Sequence, residues 1–546
     1  MTASPAPDAR EAERAFRPRA ARATSVGDLA AAAAERGVRC DVAGTASARV
    51  TGVCMDSRAA LPGDLYAAVP GANRHGADFS AQAAAAGATA ILTDAGGLDR
   101  ARSAGLPVLV VDSVRDAVGE LAALVYGTDD AAPRLFGVTG TNGKTTTTYF
   151  IRSLLRALGE TTGLIGTIEI VAGDTRIPSV LTTPEAPQLH ALLARMRESG
   201  VGAAAMEVSS HSIDYRRVAG LRFAVSGFTN LTQDHLDLHG GMDEYFHAKA
   251  RLFEAGRSRR AVVTVDDAWG RRMAAASGAE TWTLATADAP DEGSADWRVR
   301  GIGADGLGHR FELHGPDGAI LRARTGLPGL FNVSNAALAV LMVHAGGAGL
   351  GDLQAALDAA DPLTVSVPGR MQVVCERPAG IVDFAHNPDA LERAIDAVRG
   401  AHPDARVIVV FGATGQRDAT KRPVMGAVAA RRADVVIVTD DDPHDEEPAG
   451  IRAAVLRGAA DAIAAEGLSS TVVEEHPRAR AIAAAAAIAR PEDTVLVAGR
   501  GHEVWQEVRG VNLPLDDRVE LRDALAARGF ATIADPSDSA AGGARE

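Results

Sequence analysis

An apolar run, Leu135-Phe-Gly-Val-Thr139, passes directly into Gly140-Thr-Asn-Gly143 and then into Lys144-Thr-Thr146, where a helical stretch opens. Few arrangements restrict a fold more. The run predicts a strand, the glycines let the backbone wrap a polyphosphate, and a helix amino terminus favours the anion. Lys144 places a point charge on the distal phosphates, and Thr145 offers a hydroxyl to Mg²⁺. The segment departs from the strict G-x-x-x-x-G-K-[ST] spacing, since Val138 stands five residues before Gly143. Strand, loop and helix in this order imply nucleoside triphosphate binding in an α/β domain.

At 546 residues the chain is too long for one core and suggests roughly three domains of about 150 residues each. A net charge of −14 argues against non-specific binding to nucleic acid or an anionic membrane. Cys40, Cys54 and Cys375 lie far apart, with no CxxC pair, which fits a reducing cytosol. The amino end lacks the apolar stretch of a signal peptide. The alanine-rich run Ala481 to Ala489 is bounded by Arg480 and Arg490; it is far too short for a bilayer and reads as a buried helix.

The expected class is α/β in three domains. Residues 1–24, rich in Ala, Pro, Arg and acids, read as a disordered extension. Residues 25–130 alternate short apolar strands with alanine-rich helices and form a small α/β domain. Thr128 to Pro133 reads as a linker, 131–365 as a central ATPase domain with a mostly parallel sheet, and 536–546 as a flexible tail. Residues 366–535 hold Val407-Ile-Val-Val-Phe411, Val435-Val-Ile-Val-Thr439 and Thr494-Val-Leu-Val-Ala498, buried-type strands of a Rossmann-like doubly wound sheet.

Gly140 to Thr146 resembles the ATP loop of the Mur ligases, which build the peptide stem of the bacterial cell wall, and of the related folylpolyglutamate synthetases. Met206-Glu-Val-Ser-Ser-His211, Thr229 to Gly240 and Tyr245 to Phe253 resemble further central-domain motifs of the Mur ligases, and the likeness spans roughly residues 25–530. Within the family it is nearest the MurE type, which adds the third stem residue. The resemblance implies a cytoplasmic, ATP- and Mg²⁺-dependent ligase, expected as a monomer. Its substrates would be UDP-N-acetylmuramoyl-L-Ala-D-Glu and a diamino acid, joined through an acyl phosphate. A folylpolyglutamate synthetase-like ligase and a non-catalytic nucleotide-dependent assembly protein remain as alternatives.

Residue by residue, the likeness implies that Gly140, Thr141, Asn142, Gly143, Lys144, Thr145, Thr146, Asn332, Arg370 and Asp383 bind ATP. Thr145, Glu207, His235 and Lys249 would serve the metal, and Lys144, Glu207, His235 and Lys249 the catalysis. Ser57, Ala72, Asn73, Arg74, Thr182, Thr183, Ser209, Tyr215 and Arg217 would hold the UDP-muramoyl-dipeptide. Arg417, Asp441, Asp442, Pro443, His444, Gly499 and Glu503 would bind the amino acid.

Lysine is scarce: Lys144, Lys249 and Lys421 are the only three among 56 basic residues. In Mur ligases the residue matching Lys249 takes up CO₂ and becomes N6-carboxylysine, a conversion closed to arginine. Lys421 lies in Phe411 to Pro423, in a loop after a strand, without an assigned task. The third amino acid is the open point. Diaminopimelate-adding members carry Asp-Asn-Pro-Arg where this chain has Asp441-Asp442-Pro443-His444, followed by Asp445-Glu446-Glu447. Loss of that arginine and gain of acids favours L-lysine, with L-ornithine or meso-diaminopimelate as alternatives.

Overall fold

A computed structural model of the chain describes residues 9–128, 133–179, 181–234, 239–286, 295–399 and 404–534. Three main sheets organise them. The first has five strands in the order Asp41–Ala43, Val108–Val111, Ala90–Asp94, Asp64–Ala67 and Gly52–Cys54, parallel except at the Asp41–Ala43 edge. The helix Val114–Tyr126 covers it, capped by Ser113 and ended at Gly127 in the left-handed region, the expected use of glycine there.

One expectation is corrected here. Residues 9–24 are not a disordered extension: Ala9–Phe16 is a helix with Glu13 and Phe16 buried. Arg17 forks onto Asp64 at 2.8 and 3.0 Å and donates to the Val53 carbonyl at 3.0 Å. On the other side Gln188 donates to Glu13 at 3.1 Å, and Glu198 accepts from the amides of Arg19 and Ala20 at 2.7 and 2.8 Å. The segment straps the first sheet to the helix Ala186–Glu198 of the central region. Composition suggested disorder because the partners that anchor the segment, Asp64, Gln188 and Glu198, lie far away in sequence. Residues 1–8, most of the linker (129–132) and the expected tail (536–546) lie outside the described residues.

The central sheet has eleven strands. Thr162–Ile165, Ala203–Glu207, Arg134–Thr139, Phe223–Phe228, Ser258–Thr264, Glu280–Ala285 and Trp297–Asp305 run parallel in that spatial order, with antiparallel strands at both ends. Arg134–Thr139 is interior, paired on either side, and the register sets Glu207 opposite Val138 and Phe228 opposite Thr139. Three strand ends therefore converge on the loop that begins at Gly140. Helix Leu330–Ala345 is apolar nearly all round and buried, as a helix enclosed on all sides must be.

The third sheet runs Gln372–Cys375, Ala379–Asp383, Thr494–Ala498, Val407–Phe411, Val435–Val438 and Thr471–Glu474, parallel apart from its first strand. Val407 to Phe411 and Thr494 to Ala498 are buried throughout, because helices cover both faces. Each such apolar side chain contributes about 1.5–3 kcal/mol on burial. The alanine-rich run forms the helix Arg478–Ile488, with Ala481, Ile482, Ala485 and Ala486 buried. Among the described residues no helix is long and apolar enough to cross a membrane.

Candidate active site

The loop after Arg134–Thr139 is built around two glycines that admit no side chain. At Gly140 (φ +149°) a Cβ would stand 1.8 Å from Thr229 Oγ1, and at Gly143 (φ +89°) 2.3 Å from Asn335 Oδ1. Gly143 caps the helix Lys144–Ala157, so the loop's amides and the helix dipole face one point. The neighbouring strand end clamps the loop: Asn142 N donates to Asn230 Oδ1 at 3.0 Å, and Thr229 Oγ1 donates to the Asn142 carbonyl at 2.7 Å. Lys144 Nζ curls over the loop onto the carbonyls of Gly140 and Thr141 at 2.9 and 2.8 Å. Burial lowers its pKa, against the opposing pull of Glu207 and Asp234.

Glu207 ends a central strand and is buried. Its Oε2 accepts from Thr145 Oγ1 at 2.9 Å and Thr167 Oγ1 at 3.1 Å, and its Oε1 from Thr167 N at 2.8 Å. Thr183 Oγ1 donates to the Glu207 carbonyl at 3.0 Å and is itself buried. These oxygens suit Mg²⁺, which prefers hard oxygen ligands. Among the described residues no three His, Cys, Asp or Glu side chains converge on one point. His235 lies outside the described residues.

Lys249 sits on the helix Met242–Ala250 and is 1% exposed. Its Nζ donates to the Gly140 carbonyl at 2.9 Å and lies 4.4 Å from the centre of the Tyr245 ring. Burial, reinforced by the Lys144 ammonium, pushes its pKa well below the usual lysine range, although Asp234 opposes this. Both causes disfavour the charged form of an amine placed beside the phosphate loop.

Two cavities open from the loop. The smaller, about 360 Å³, is lined by Asn332, Phe331, Leu338, Asp383, Phe384 and Asp266 among others. Asn332 donates to the Pro328 carbonyl at 2.7 Å and accepts from Asn335 at 3.1 Å. Asp383 accepts from the amides of Met371 and Ala385 at 2.7 and 2.9 Å; burial raises its pKa, against the effect of Arg370. It thus fixes the Gly369–Met371 turn, where Met371 has φ +44°. Arg370 stacks on Phe384 at 4.2 Å and lines both cavities.

The larger cavity, about 870 Å³, lies between the central and third sheets. One wall carries Lys144, Thr145, Glu207, Thr182, Ser209 and Arg217; the other carries Arg417, Lys421, Asp441, Asp442, His444, Gly499 and Glu503. Burial and Asp441 push Glu503 up to about 8, with Arg500 opposing. Asp442 accepts from the buried Arg500. The acids after His444 are engaged elsewhere. Asp445 accepts from Gln416 at 3.2 Å, Glu446 from Arg422 at 2.5 Å, and Glu447 from Arg509 at 3.3 Å, and none of the three lines the cleft.

Some expected residues lie away from this cleft. Ser57 is buried with its hydroxyl on Gln82 at 2.9 Å, while Ala72, Asn73 and Arg74 form an exposed loop of the first domain. Tyr215 is exposed, stacked by Arg217, whose Nε donates to Glu185 at 2.8 Å. Pro443 is not on the cavity wall. Sequence reasoning missed Thr167, which orients Glu207 yet carries no motif signal. It also missed Asn230 and Asp234, although these lie inside the singled-out segment Thr229 to Gly240, and Arg500, which directly follows the expected Gly499.

Comparison with known proteins adds to this geometry. Residues 49–126 match the family described as "Mur ligase family, catalytic domain", 138–343 the "Mur ligase middle domain", and 369–501 the "Mur ligase, glutamate ligase domain". A Streptomyces coelicolor relative, UDP-N-acetylmuramoyl-L-alanyl-D-glutamate--2,6-diaminopimelate ligase, is 47% identical over 88% of this chain and 93% of its own. A Leifsonia xyli relative named UDP-N-acetylmuramyl-tripeptide synthetase is 44% identical over 88% and 92%. A solved structure of a diaminopimelate ligase superposes with a TM-score of 0.64 at 28% identity, covering 93% of this chain and all of that one.

Proposed function

The chain belongs to the Mur ligase family of ATP-dependent ligases, and from the cleft's geometry we propose that it joins 2,6-diaminopimelate to UDP-N-acetylmuramoyl-L-alanyl-D-glutamate in cytoplasmic peptidoglycan precursor synthesis. The carrying observation is one cleft that sets the phosphate loop and Glu207 across from Arg417, Asp441 and Glu503. The separate first domain, matched to the same family, speaks against the folylpolyglutamate alternative.

The sequence-based preference for L-lysine gives way to diaminopimelate. It rested on the loss of an arginine at His444 and on Asp445, Glu446 and Glu447 as attractors of a lone side-chain ammonium, but these acids are paired with Gln416, Arg422 and Arg509 outside the cleft. The relatives' names point the same way.

In this reading the smaller cavity takes the adenosine and the loop amides take the phosphates. Lys144 leaves its two loop carbonyls to neutralise charge developing on the transferred phosphoryl group. The acceptor carboxylate of the dipeptide, held by Thr182, Ser209 and Arg217, attacks the γ-phosphorus to give an acyl phosphate and ADP. Arg417 orients the amino acid's α-carboxylate so that its amine attacks the acyl carbon, phosphate leaves, and the ammonium proton passes to solvent. Mg²⁺ held by Thr145 and Glu207 would supply charge neutralisation on the phosphate oxygens. Lys249 fits a carbamate: its neutral amine forms an N–C bond to CO₂, a C=O π pair becomes the second carboxylate oxygen's, and a proton departs. Ser57 and residues 72–74 of the first domain are assigned to the UDP end.

The test is phosphate release by purified protein with ATP, Mg²⁺ and UDP-N-acetylmuramoyl-L-Ala-D-Glu, comparing diaminopimelate, L-lysine and L-ornithine. Release with diaminopimelate is expected. Failure with every amino acid would overturn the ligase reading, and release with a folate plus glutamate instead would favour the alternative.

A further inference from the structure

A two-stranded hairpin, Trp505–Val508 with Val511–Pro514, follows Glu503 and stands apart from the six-stranded sheet. It grips the Asp441–His444 segment. Gln506 Nε2 donates to the Asp441 carbonyl at 2.6 Å, Glu507 N to Asp442 Oδ1 at 3.1 Å, His444 N to the Glu507 carbonyl at 3.3 Å, and Arg509 N to the His444 carbonyl at 2.8 Å. Buried Arg500 ties the two pieces together by donating to both Asp442 and the Trp505 carbonyl. These bonds hold His444 at φ +52°, a left-handed conformation that a residue with a Cβ adopts at a cost and that the surroundings must impose.

The side chain of His444 is fixed as well. Its Nδ1 lies 2.9 Å from Glu507 Oε2; a carboxylate only accepts, so Nδ1 carries the hydrogen and Nε2 is left for a ligand. The ring lines the cleft beside Asp441 and Glu503. Three acids, Asp441, Asp442 and Glu503, share this wall with one imidazole, a set that suits a side-chain terminus bearing both an ammonium and a carboxylate. A terminus with an ammonium alone would use the acids and make no use of the imidazole's Nε2.

We infer that the hairpin is a specificity element for the incoming amino acid, in which Glu507 is a positioning residue that orients His444 to take a second, distal carboxylate. This rests on the diamino-acid reading of the cleft. Asp441 and Glu503 take the distal ammonium, and the imidazole ring bridges Glu507 through Nδ1 and the ligand carboxylate through Nε2. Lysine and ornithine, lacking that carboxylate, gain nothing from Glu507.

The experiment measures steady-state constants for wild type, Glu507→Ala, Glu507→Gln and His444→Gln, with L-lysine assayed as substrate or as competitive inhibitor. Glu507→Ala should raise KM for diaminopimelate about 10-fold or more, the range of one charge-assisted hydrogen bond. The constants for ATP, for the UDP-dipeptide and for lysine should stay unchanged, so discrimination between the two amino acids shrinks. Glu507→Gln, whose amide oxygen still accepts from Nδ1, should recover part of the loss, and melting temperatures identify any variant that is misfolded. If Glu507→Ala does not fold, His444→Gln carries the same comparison. Equal losses for both amino acids, or no change in either, would overturn the inference. Failure of the underlying reading is distinct: wild type itself would release no phosphate with diaminopimelate, and the inference would fall with it.

Discussion

Replacing Lys249 by methionine separates structure from chemistry at one buried site. Methionine follows the lysine stem to Cε, so the packing against Tyr245 is kept and only the amine is lost. Among the described residues that amine donates to the Gly140 carbonyl at 2.9 Å. The same carbonyl also accepts from Lys144 at 2.9 Å, so the substitution leaves no orphaned acceptor. A neutral hydrogen bond contributes about 0.5–1.5 kcal/mol, and removing a desolvated amine offsets part of it, so stability should change by about 1 kcal/mol or less. Activity should behave differently. A carbamate at this position supplies anionic oxygens at the phosphate loop, and deleting one such preorganised group typically lowers kcat by ~10²–10³. Lys249→Arg should be as inactive and less stable, because a guanidinium cannot shed its charge in a site already shared with Lys144. The assay is kcat by phosphate release alongside urea unfolding, with wild type also measured in CO₂-depleted buffer before and after bicarbonate is restored. A methionine or arginine variant keeping more than about a tenth of wild-type kcat, a barrier change under ~1.4 kcal/mol, would refute the carbamate, as would wild-type activity indifferent to CO₂.

Three other outcomes are expected. Thr167→Val removes the hydroxyl that donates to Glu207 at 3.1 Å and should cost ~10- to 100-fold in Mg²⁺-dependent activity, as loss of an outer-shell partner does; an unchanged Mg²⁺ titration would count against Glu207 as a ligand. Glu503 is raised from 4.5 to about 8, so its protonated form favours the fold. That contribution is fully present below the unfolded value and is lost as pH rises through about 8. Urea midpoints should therefore fall for wild type relative to Glu503→Gln between about pH 5 and 9, and parallel profiles would reject the shift. Arg17→Ala strands the buried Asp64 carboxylate, whose side chain is 2% exposed, and should destabilise the protein by about 3–5 kcal/mol in chemical denaturation. A loss under about 1 kcal/mol, the worth of a solvent-exposed pair, would show that the amino-terminal strap carries no load.

The phosphate loop was legible because its chemistry is local: glycines, a lysine and a threonine within seven residues, between an apolar run and a helix. Glu207 was legible for a similar reason, as a carboxylate ending an apolar run. Thr167 was not, since its value lies in reaching Glu207 across forty residues, and nothing in its own neighbourhood marks it. The acids at 445–447 misled in the opposite direction. Read as a string they form an anionic patch, yet their partners, Gln416, Arg422 and Arg509, come from other segments of the chain. The amino-terminal segment failed the same way, because Glu13, Arg17 and Asp64 are polar in sequence and a buried network in space.

The sequence by itself determined the class of fold, the phosphate loop and the resemblance to a ligase family, because period, glycine placement and motif order are properties of the chain read in line. Tertiary structure decided what each charge does. Pairing and burial depend on groups far apart in sequence, and they press the Lys249 ammonium toward its neutral form, withdraw Glu446 from the cleft, and bring Glu507 to His444.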